Sequence, residues 1–289
     1  MEKFVVTSDV KNRLRKIRSG IVYNDMFAVV DELVQNANRA KATKVDFVIE
    51  DSTFVISDNG VGCDNPSVLF TLDFSGFGNG FGEGFTSIYM VADYFLVKTH
   101  DWYGQLNITE ALNDDDKDLS VDISTNHDFH NGFELKLVGD EIRNNEEELK
   151  EYLVRSTAYI PDIEFILNGM TIEKKDLFDI EEGNYTRSFS NRMYHAKFTL
   201  NDNPFDSGIR IYNEYRFVEE CNFSGVSGVS GVLLLKPNAV NLKTPDRRGI
   251  VYDHKRYELN DKIEEDAKTL FKEMIRSGDS EELKKFSSA

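Results

Sequence analysis

The chain has 289 residues, of which 40% are hydrophobic and 29% charged, and its formal net charge is −17 at pH 7. A chain of this length fits about two domains of roughly 150 residues each, with enough apolar residues for packed cores. An acidic surface repels the phosphates of nucleic acids, so nucleic acid is a disfavoured partner. It stays possible, because basic residues cluster at 13–18 and 243–256.

The sequence shows neither a secretory signal nor a membrane span. The opening stretch MEKFVVTSDVKNRLRK lacks the apolar segment of a signal peptide, and no apolar run approaches the roughly 20 residues that cross a bilayer. The two cysteines, Cys63 and Cys221, do not make a disulfide framework. We therefore expect a cytoplasmic protein without a membrane partner.

Hydrophobic periodicity predicts alternating helices and strands in the first part of the chain. Phe27, Val30, Leu33 and Val34 recur at helical spacing, whereas residues 44–50 alternate between apolar and polar. In chain order, the predicted elements are a basic helix at 9–18, a helix at 25–40, strands at 44–50 and 53–57, a helix leading into a strand at 86–99, a strand at 132–138, a helix at 146–160 and a hairpin at 163–172 turning at Asn168-Gly169.

The composition loosens at EEGNYTRS (181–188), which indicates a domain boundary. Three strand-like segments follow, namely MYHAKFTLN, GIRIYNEYRFVEE and GVSGVLLLK. A polar loop, NLKTPDRRG (241–249), then leads into a long helix at 255–276. The pattern predicts an α+β protein with one domain at 1–180 and a smaller one at 181–289.

The predicted helix at 25–40 carries a carboxylate and an amide on one face. Glu32 and Asn36 are four residues apart, about one helical turn, so their side chains stack. The Asn carbonyl is a hard oxygen ligand suited to Mg²⁺, and a nearby Glu can orient or deprotonate a water molecule beside a phosphate. Taken alone, the pair is also typical of the polar edge of an amphipathic helix.

A second polar motif follows the strand at 53–57. Asp58 is followed by Gly60 and Gly62 in the sequence DNGVG. A carboxylate at a strand end can accept a hydrogen bond from an exocyclic amine such as adenine N6, and glycines let the backbone approach a flat base closely. The same five residues also suit an ordinary turn.

The third motif is the glycine-rich stretch SGFGNGFGEGF (75–85), which leads into a predicted helix near Phe85. Backbone N–H groups of such a loop and of a helix N-terminus can bind phosphates. A plain flexible linker would not carry the phenylalanines found at 74, 77, 81 and 85. The stretch contains no GxxxxGK[ST] sequence and fits a dinucleotide-binding glycine motif only loosely.

In this order and spacing, ELVQNANRA, DNGVG and GFGEGFTS resemble the three motifs of the GHKL ATPase superfamily, which includes gyrase B, Hsp90, bacterial histidine kinases and MutL. The resemblance implies a Bergerat-type two-layer α/β sandwich that binds ATP and Mg²⁺. It implies that Glu32 activates water, that Asn36 is the Mg²⁺ ligand and that Asp58 binds adenine. The other residues that it assigns to the nucleotide are Ala40, Gly60, Gly62, Gly80, Gly82, Gly84 and Phe85.

The resemblance extends more faintly to the second domain. Strands, the sequence TPDRR (244–248) and a long helix are similar to the ribosomal-S5-like transducer domain of MutL and gyrase, from which a basic residue reaches the γ-phosphate. Arg247 matches that position, and Lys243 is a second possibility. The presence of such a domain argues against a histidine kinase.

Three functions are compatible with these motifs. The first is a slow Mg-dependent ATPase whose lid closure and domain rotation gate homodimerisation or the binding of a protein partner. The second is a DNA-processing ATPase subunit related to MutL or topoisomerases, and the third is a non-hydrolysing nucleotide-binding module of a larger assembly. Arg39 stands where the superfamily usually has Asp, which leaves the nucleotide specificity open.

Overall fold

The protein is an α+β chain that divides into two compact units, Met1–Glu173 and Lys174–Ala289, each with its own mixed sheet. The computed structural model describes residues 10–20, 27–70, 84–114, 120–201, 203, 207–222, 228–243, 249–278 and 284. The predicted α+β class is confirmed. The division falls after Glu173, whereas the composition predicted it after residue 180.

The first unit is built on a six-stranded sheet. Its strands are β1 (Lys44–Glu50), β2 (Thr53–Asp58), β3 (Tyr94–Asn107), β4 (Asp122–Val138), β5 (Glu164–Leu167) and β6 (Met170–Thr171). They lie in the order β3-β4-β2-β1-β5-β6, and among the described strand pairs only β1 and β5 run parallel. The predicted turn between β5 and β6 is confirmed, because Asn168 and Gly169 both have positive φ, 49° and 79°, as a type I′ turn requires.

Three α-helices of the first unit match the helices predicted at 9–18, 25–40 and 146–160, with small shifts at their ends, whereas three shorter described ones were not predicted. These helices are α1 (Val10–Arg18), α2 (Ala28–Arg39), α3 (Pro66–Phe70), α4 (Ile108–Asn113), α5 (Asp140–Asn144) and α6 (Glu146–Thr157). The helix predicted before β3 is a 3-10 helix, Gly84–Met90. None of the described helices combines the length and apolarity needed to cross a bilayer.

One face of the first sheet is buried, because apolar and polar side chains alternate along its strands. Phe47 on β1 is 1% exposed and stacks on Phe54 of β2 and Phe165 of β5, with ring centroids 6.2 and 6.0 Å apart. Val48, between the buried positions of β1, is exposed. Asp58 continues the buried alternation of β2, so its carboxylate lies on the core face at the end of the strand.

Basic residues of α1 hold this helix to the rest of the first unit. Lys11 Nζ donates to the Asp114 carbonyl at 2.6 Å, and Arg15 Nη2 donates to the Leu112 carbonyl at 2.5 Å. Arg18 forms an ion pair with Asp93. Burial alone would raise the pKa of the Asp93 carboxyl, but hydrogen bonds, among them those from Thr109 and Arg18, lower it. Arg15 and Arg18, two members of the basic cluster at 13–18, therefore have structural partners within the unit.

The second unit contains a five-stranded sheet and one long helix. Its elements are β7 (Thr186–Ser190), β8 (Tyr194–Leu200), β9 (Gly208–Asn213), β10 (Arg216–Cys221), β11 (Val229–Leu235) and α7 (His254–Ser277). The order is β10-β9-β11-β8-β7, with β9 and β11 parallel. The prediction of a single strand for GIRIYNEYRFVEE was wrong, since the chain turns at Glu214 and Tyr215, both with positive φ, to form the β9–β10 hairpin. The strand β7 had not been predicted.

The core of the second unit forms between its sheet and α7. Asp253 caps the start of this helix by accepting a hydrogen bond from the Arg256 amide, and Gly278 ends it in the left-handed conformation. The helix buries one residue per turn, and the sheet contributes the inner residues of its strands. The helix residues of this core are Leu259, Ile263, Ala267, Leu270 and Met274.

A buried ion pair connects β10 to the start of α7. Arg256 pairs with Glu219, and their side chains are 9% and 22% exposed. Glu219 also accepts hydrogen bonds from the Ile250 amide and from Cys221 Sγ, both at 3.0 Å. Burial alone would raise the pKa of the Glu219 carboxyl, but the hydrogen bonds from Cys221, Arg256 and Ile250 lower it.

We expect Glu219→Gln to lower the free energy of unfolding of the protein by about 3 kcal/mol at neutral pH, because it leaves the Arg256 charge buried without its counter-ion. The double variant Glu219→Gln, Arg256→Met removes both charges and should recover most of that loss. Urea unfolding measures both effects. Because the pKa of folded Glu219 is lowered, its contribution is complete above about pH 4.3 and is lost as the pH falls toward the folded value. Equal stability of the wild type and the single variant at pH 7 would contradict this role.

Candidate functional site

The helix α2 carries two neighbouring buried carboxylates with different surroundings. Asp31 accepts hydrogen bonds from the Tyr152 hydroxyl on both carboxylate oxygens at 2.8 Å, and Phe27 stacks on the Tyr152 ring at 4.6 Å. Asp31 therefore joins α2 to α6. Glu32, 4% exposed, is the next residue and points about 100° further around the helix.

Asn36 lies one turn after Glu32 on the same face of α2 and is half-buried. Among the described residues, no hydrogen bond involves its side-chain amide. The amide oxygen is thus available to a ligand, and Mg²⁺ is commonly held by one or two protein oxygens together with phosphate and water oxygens. Asn36 fits one protein ligand of an ion held in that way, with Glu32 one turn away.

The DNGVG loop is packed against the C-terminal end of α2. The Val61 amide donates to the Ala40 carbonyl at 3.0 Å, and Asn59 Oδ1 accepts from the amides of Thr43 and Lys44 at 2.8 and 2.9 Å. A Cβ atom on Gly60 would lie 2.8 Å from the Ala40 Cβ, so small residues are required on both sides. The structure therefore brings together Ala40 and Gly60, two of the residues that the sequence assigned to the site.

Asp58 is 7% exposed, and its Oδ1 accepts a hydrogen bond from the Gly60 amide at 2.7 Å. Burial raises the pKa of this carboxyl, while the Gly60 amide and the charge of His130 act in the opposite direction. A buried carboxylate with only one hydrogen bond among the described residues is well suited to accept another from a bound amine. A raised pKa at a strand end is also typical of functional carboxylates.

Two further residues lie in a row with Asp58 across three strands. Phe133 of β4 is the register partner of both Asp58 on β2 and Thr99 on β3. Thr99 is fully buried, donates to the Gly132 carbonyl at 2.7 Å and accepts from the Cys63 amide at 2.9 Å. Sequence reasoning missed Phe133 and Thr99. The local signal was the position of Thr99, which continues the alternation of Phe95 and Val97 along β3.

Two glycines allow the backbone to close around this row. Gly132 has φ +89°, and a Cβ atom there would lie 1.9 Å from the Asp58 carbonyl oxygen. Gly62 has φ +66°, and a Cβ atom there would lie 2.6 Å from His100 Nε2. Both positions therefore need glycine for conformation and for space. Gly62 had been assigned to the site for its closeness to a base, and its close neighbours within the protein are His100 and Thr99.

Phe85 belongs to an aromatic cluster at the two ends of the glycine-rich stretch. Its ring lies 5.8 Å from that of Phe70, which ends α3, and both contact Phe95 of β3, at 6.0 and 5.9 Å. The side chains of residues 70 and 85 thus come close together, and Gly84 begins the 3-10 helix. Gly80 and Gly82 lie outside the described residues.

Arg39, the residue that departs from the superfamily pattern, forms a hydrogen bond along its own helix. Its Nη2 donates to Gln35 Oε1 at 3.1 Å. Gln35 is buried. This contact directs part of the guanidinium toward the preceding turn of α2.

Lys243, in the second unit, directly precedes TPDRR (244–248), which lies outside the described residues. Its amide donates to the Gly249 carbonyl at 3.0 Å, and Leu242 forms a bridge with Ile250, so the described residues on the two sides of TPDRR are joined. Its Nζ lies 5.9 Å from the centre of the exposed Tyr252 ring. Arg247 lies outside the described residues.

The chain was compared with known proteins. No protein-family model matches it, and no curated protein sequence matches it significantly.

Proposed function

We propose that the protein is a Mg-dependent ATPase of the GHKL type, with a Bergerat-type first domain and an S5-like second domain. The observation that carries this proposal is the close packing of the DNGVG loop on the end of α2. Ala40 contacts Gly60, so the buried Asp58 lies at one end of the helix that carries Asn36 and Glu32. At a rise of 1.5 Å per residue, Glu32 is roughly 12 Å from Ala40 along the helix. This separation suits an extended nucleoside triphosphate whose base lies at Asp58 and whose phosphates lie near Glu32.

In this proposal Asp58 recognises the base. Its carboxylate accepts a hydrogen bond from the exocyclic amine of adenine, while Gly60 and Gly62 let the ring approach the backbone. Thr99 and Phe133, on the same row of the sheet, form the floor beneath the base. The raised pKa of Asp58 supports this role, because a charged buried acceptor gains most from a new donor.

Glu32 is the proposed general base. It is buried, it lies one turn from Asn36, and a carboxylate in that place can orient and deprotonate the attacking water. Asn36 would hold Mg²⁺ through its amide oxygen, and the ion when bound would neutralise charge on the phosphate oxygens. The amides around Gly80, Gly82 and Gly84 are proposed to bind phosphate.

The output is proposed to be a change of conformation. Arg247, or Lys243 beside it, would contact the γ-phosphate from the second domain, and hydrolysis would release that contact. Closure of the glycine-rich lid and rotation of the second domain would then gate a homodimer or a protein partner. The structural partners of Arg15 and Arg18 favour this output over a DNA-processing one.

Phosphate release from Mg-ATP by the full chain tests the proposal. We expect slow turnover that is abolished by an excess of a chelator of divalent cations. Absence of ATP binding in calorimetry would overturn the proposal. Binding without turnover would support the non-hydrolysing module instead, and stimulation of turnover by DNA that is lost at high salt would support the DNA-processing ATPase.

A further inference from the structure

One ring nitrogen of His130, on β4, is buried without a hydrogen bond. Its Nε2 atom is inaccessible to water, and no donor or acceptor of the described residues lies within hydrogen-bonding distance. Buried polar atoms are nearly always paired in folded proteins, because water has been removed from them and nothing replaces it. An unpaired one therefore needs an explanation. A bound ligand that completes the hydrogen bond is one, provided that its binding moves the neighbouring atoms that cover the nitrogen in the free protein.

The surroundings of His130 place it beside the end of β2. Its register partner on β3 is His100, whose Nε2 lies against Gly62 of the DNGVG loop. Two residues after His130, the backbone of Gly132 lies directly against the Asp58 carbonyl. The charge of His130 also acts on Asp58 and opposes the effect of burial on the pKa of its carboxyl.

His100 has partners that His130 lacks. His100 Nδ1 is bonded to Asp64, and its ring stacks on that of Phe129 with centroids 5.1 Å apart. The two histidines are cross-strand neighbours, yet only one of them is held in this way among the described residues. This difference identifies His130 as the group left for a ligand.

We propose that His130 is a specificity-determining residue that reads the base of the bound nucleotide next to Asp58. The inference rests on the proposed function. The exocyclic amine of adenine is flanked by ring nitrogens that accept hydrogen bonds, so an N–H of His130 complements the ring while Asp58 accepts from the amine. A 6-oxopurine carries an oxygen where adenine has the amine, and this oxygen would face the Asp58 carboxylate. The pair thus selects adenine over hypoxanthine.

The test is the affinity of wild-type and His130→Ala full chain for Mg-ATP and Mg-ITP, measured by calorimetry. We expect the wild type to prefer ATP, and the variant to bind ATP about tenfold more weakly with a much smaller change for ITP. Without nucleotide, the melting temperature of the variant should be equal to or higher than that of the wild type, because the substitution removes an unpaired buried atom. His195→Ala, at an exposed position of β8, is the matched control and should change none of these values.

The outcomes separate a role in recognition from a role in folding. If His130→Ala melts at a lower temperature and weakens ATP and ITP equally, His130 is structural and the inference is wrong. Retention of the ATP preference in His130→Gln, which keeps a side-chain donor, would support the hydrogen bond. If the wild type prefers ATP to ITP and His130→Ala keeps the same preference, this inference alone is wrong. If the wild type binds neither nucleotide, the proposed function is wrong as well.

Discussion

Replacing Glu32 with alanine is expected to lower the rate of ATP hydrolysis by about 10²–10⁴-fold while ATP affinity stays within about threefold of the wild type. The reason is that a general base acts on the attacking water in the transition state and adds little to binding of the ground state. Glu32→Gln keeps the size of the side chain and removes its basicity, so it should lose turnover to a similar extent. Single-turnover phosphate release and calorimetric binding provide the two measurements.

The neighbouring Asp31 offers a matched control. It is also a buried carboxylate of α2, but both of its oxygens accept from Tyr152. Asp31→Asn is expected to reduce the stability of the protein by about 1–3 kcal/mol and to leave the turnover of the folded fraction close to the wild type. Wild-type hydrolysis by Glu32→Ala would show that another group is the base. Equal loss of turnover in Asp31→Asn would show that burial of charge on α2, rather than chemistry at Glu32, controls activity.

Replacing Asp58 with asparagine is expected to weaken ATP binding by about 10- to 100-fold, since a hydrogen bond to a charged acceptor is replaced by one to a neutral amide. The Gly60 amide can still donate to the asparagine oxygen, so the DNGVG loop should keep its conformation. The effect should appear in the dissociation constant of ATP, measured by calorimetry. Asp46→Asn, at an outward position of β1, is the control and should bind ATP normally.

The same substitution has an opposite expected effect on stability. Because burial raises the pKa of folded Asp58, the free energy of unfolding falls as the pH rises from the usual value of about 3.9 to the folded pKa, and it stays at the lower level above that. Asp58→Asn cannot ionise, so at pH 7 and without nucleotide it should melt at a temperature equal to or above that of the wild type. A variant that both melts lower and binds ATP normally would show that Asp58 serves the fold and not the nucleotide.

Both Asp58→Asn and His130→Ala are expected to weaken ATP binding while leaving the melting temperature unchanged or higher, and these two effects have one physical origin. A polar group that is buried without full hydrogen bonding is unfavourable in the free protein and favourable once a ligand completes it. Such groups therefore reduce stability where they increase affinity. A purely structural residue shows the other pattern, as the Glu219–Arg256 pair does, in which the two charges already neutralise each other.

Sequence alone determined the elements whose signals are local. The alternation of Val45, Phe47 and Ile49 was sufficient for β1, the Asn168-Gly169 pair for the β5–β6 turn, and helical spacing for α2 and α7. The common helical face of Glu32 and Asn36 follows from spacing alone, because 3.6 residues complete a turn whatever surrounds the helix. The assignment of Asp58 to a strand end was also local, since β2 ends there.

Tertiary structure alone decided which of these elements meet. The contact of Gly60 with Ala40, the register of Asp58 with Phe133 and the closeness of Gly132 to the Asp58 carbonyl join segments that are far apart in the chain. Pattern and spacing carry no information about such pairings, because strand register and backbone contacts are selected by the packing of the whole core. For the same reason the unpaired nitrogen of His130 becomes apparent only when its neighbours are in place.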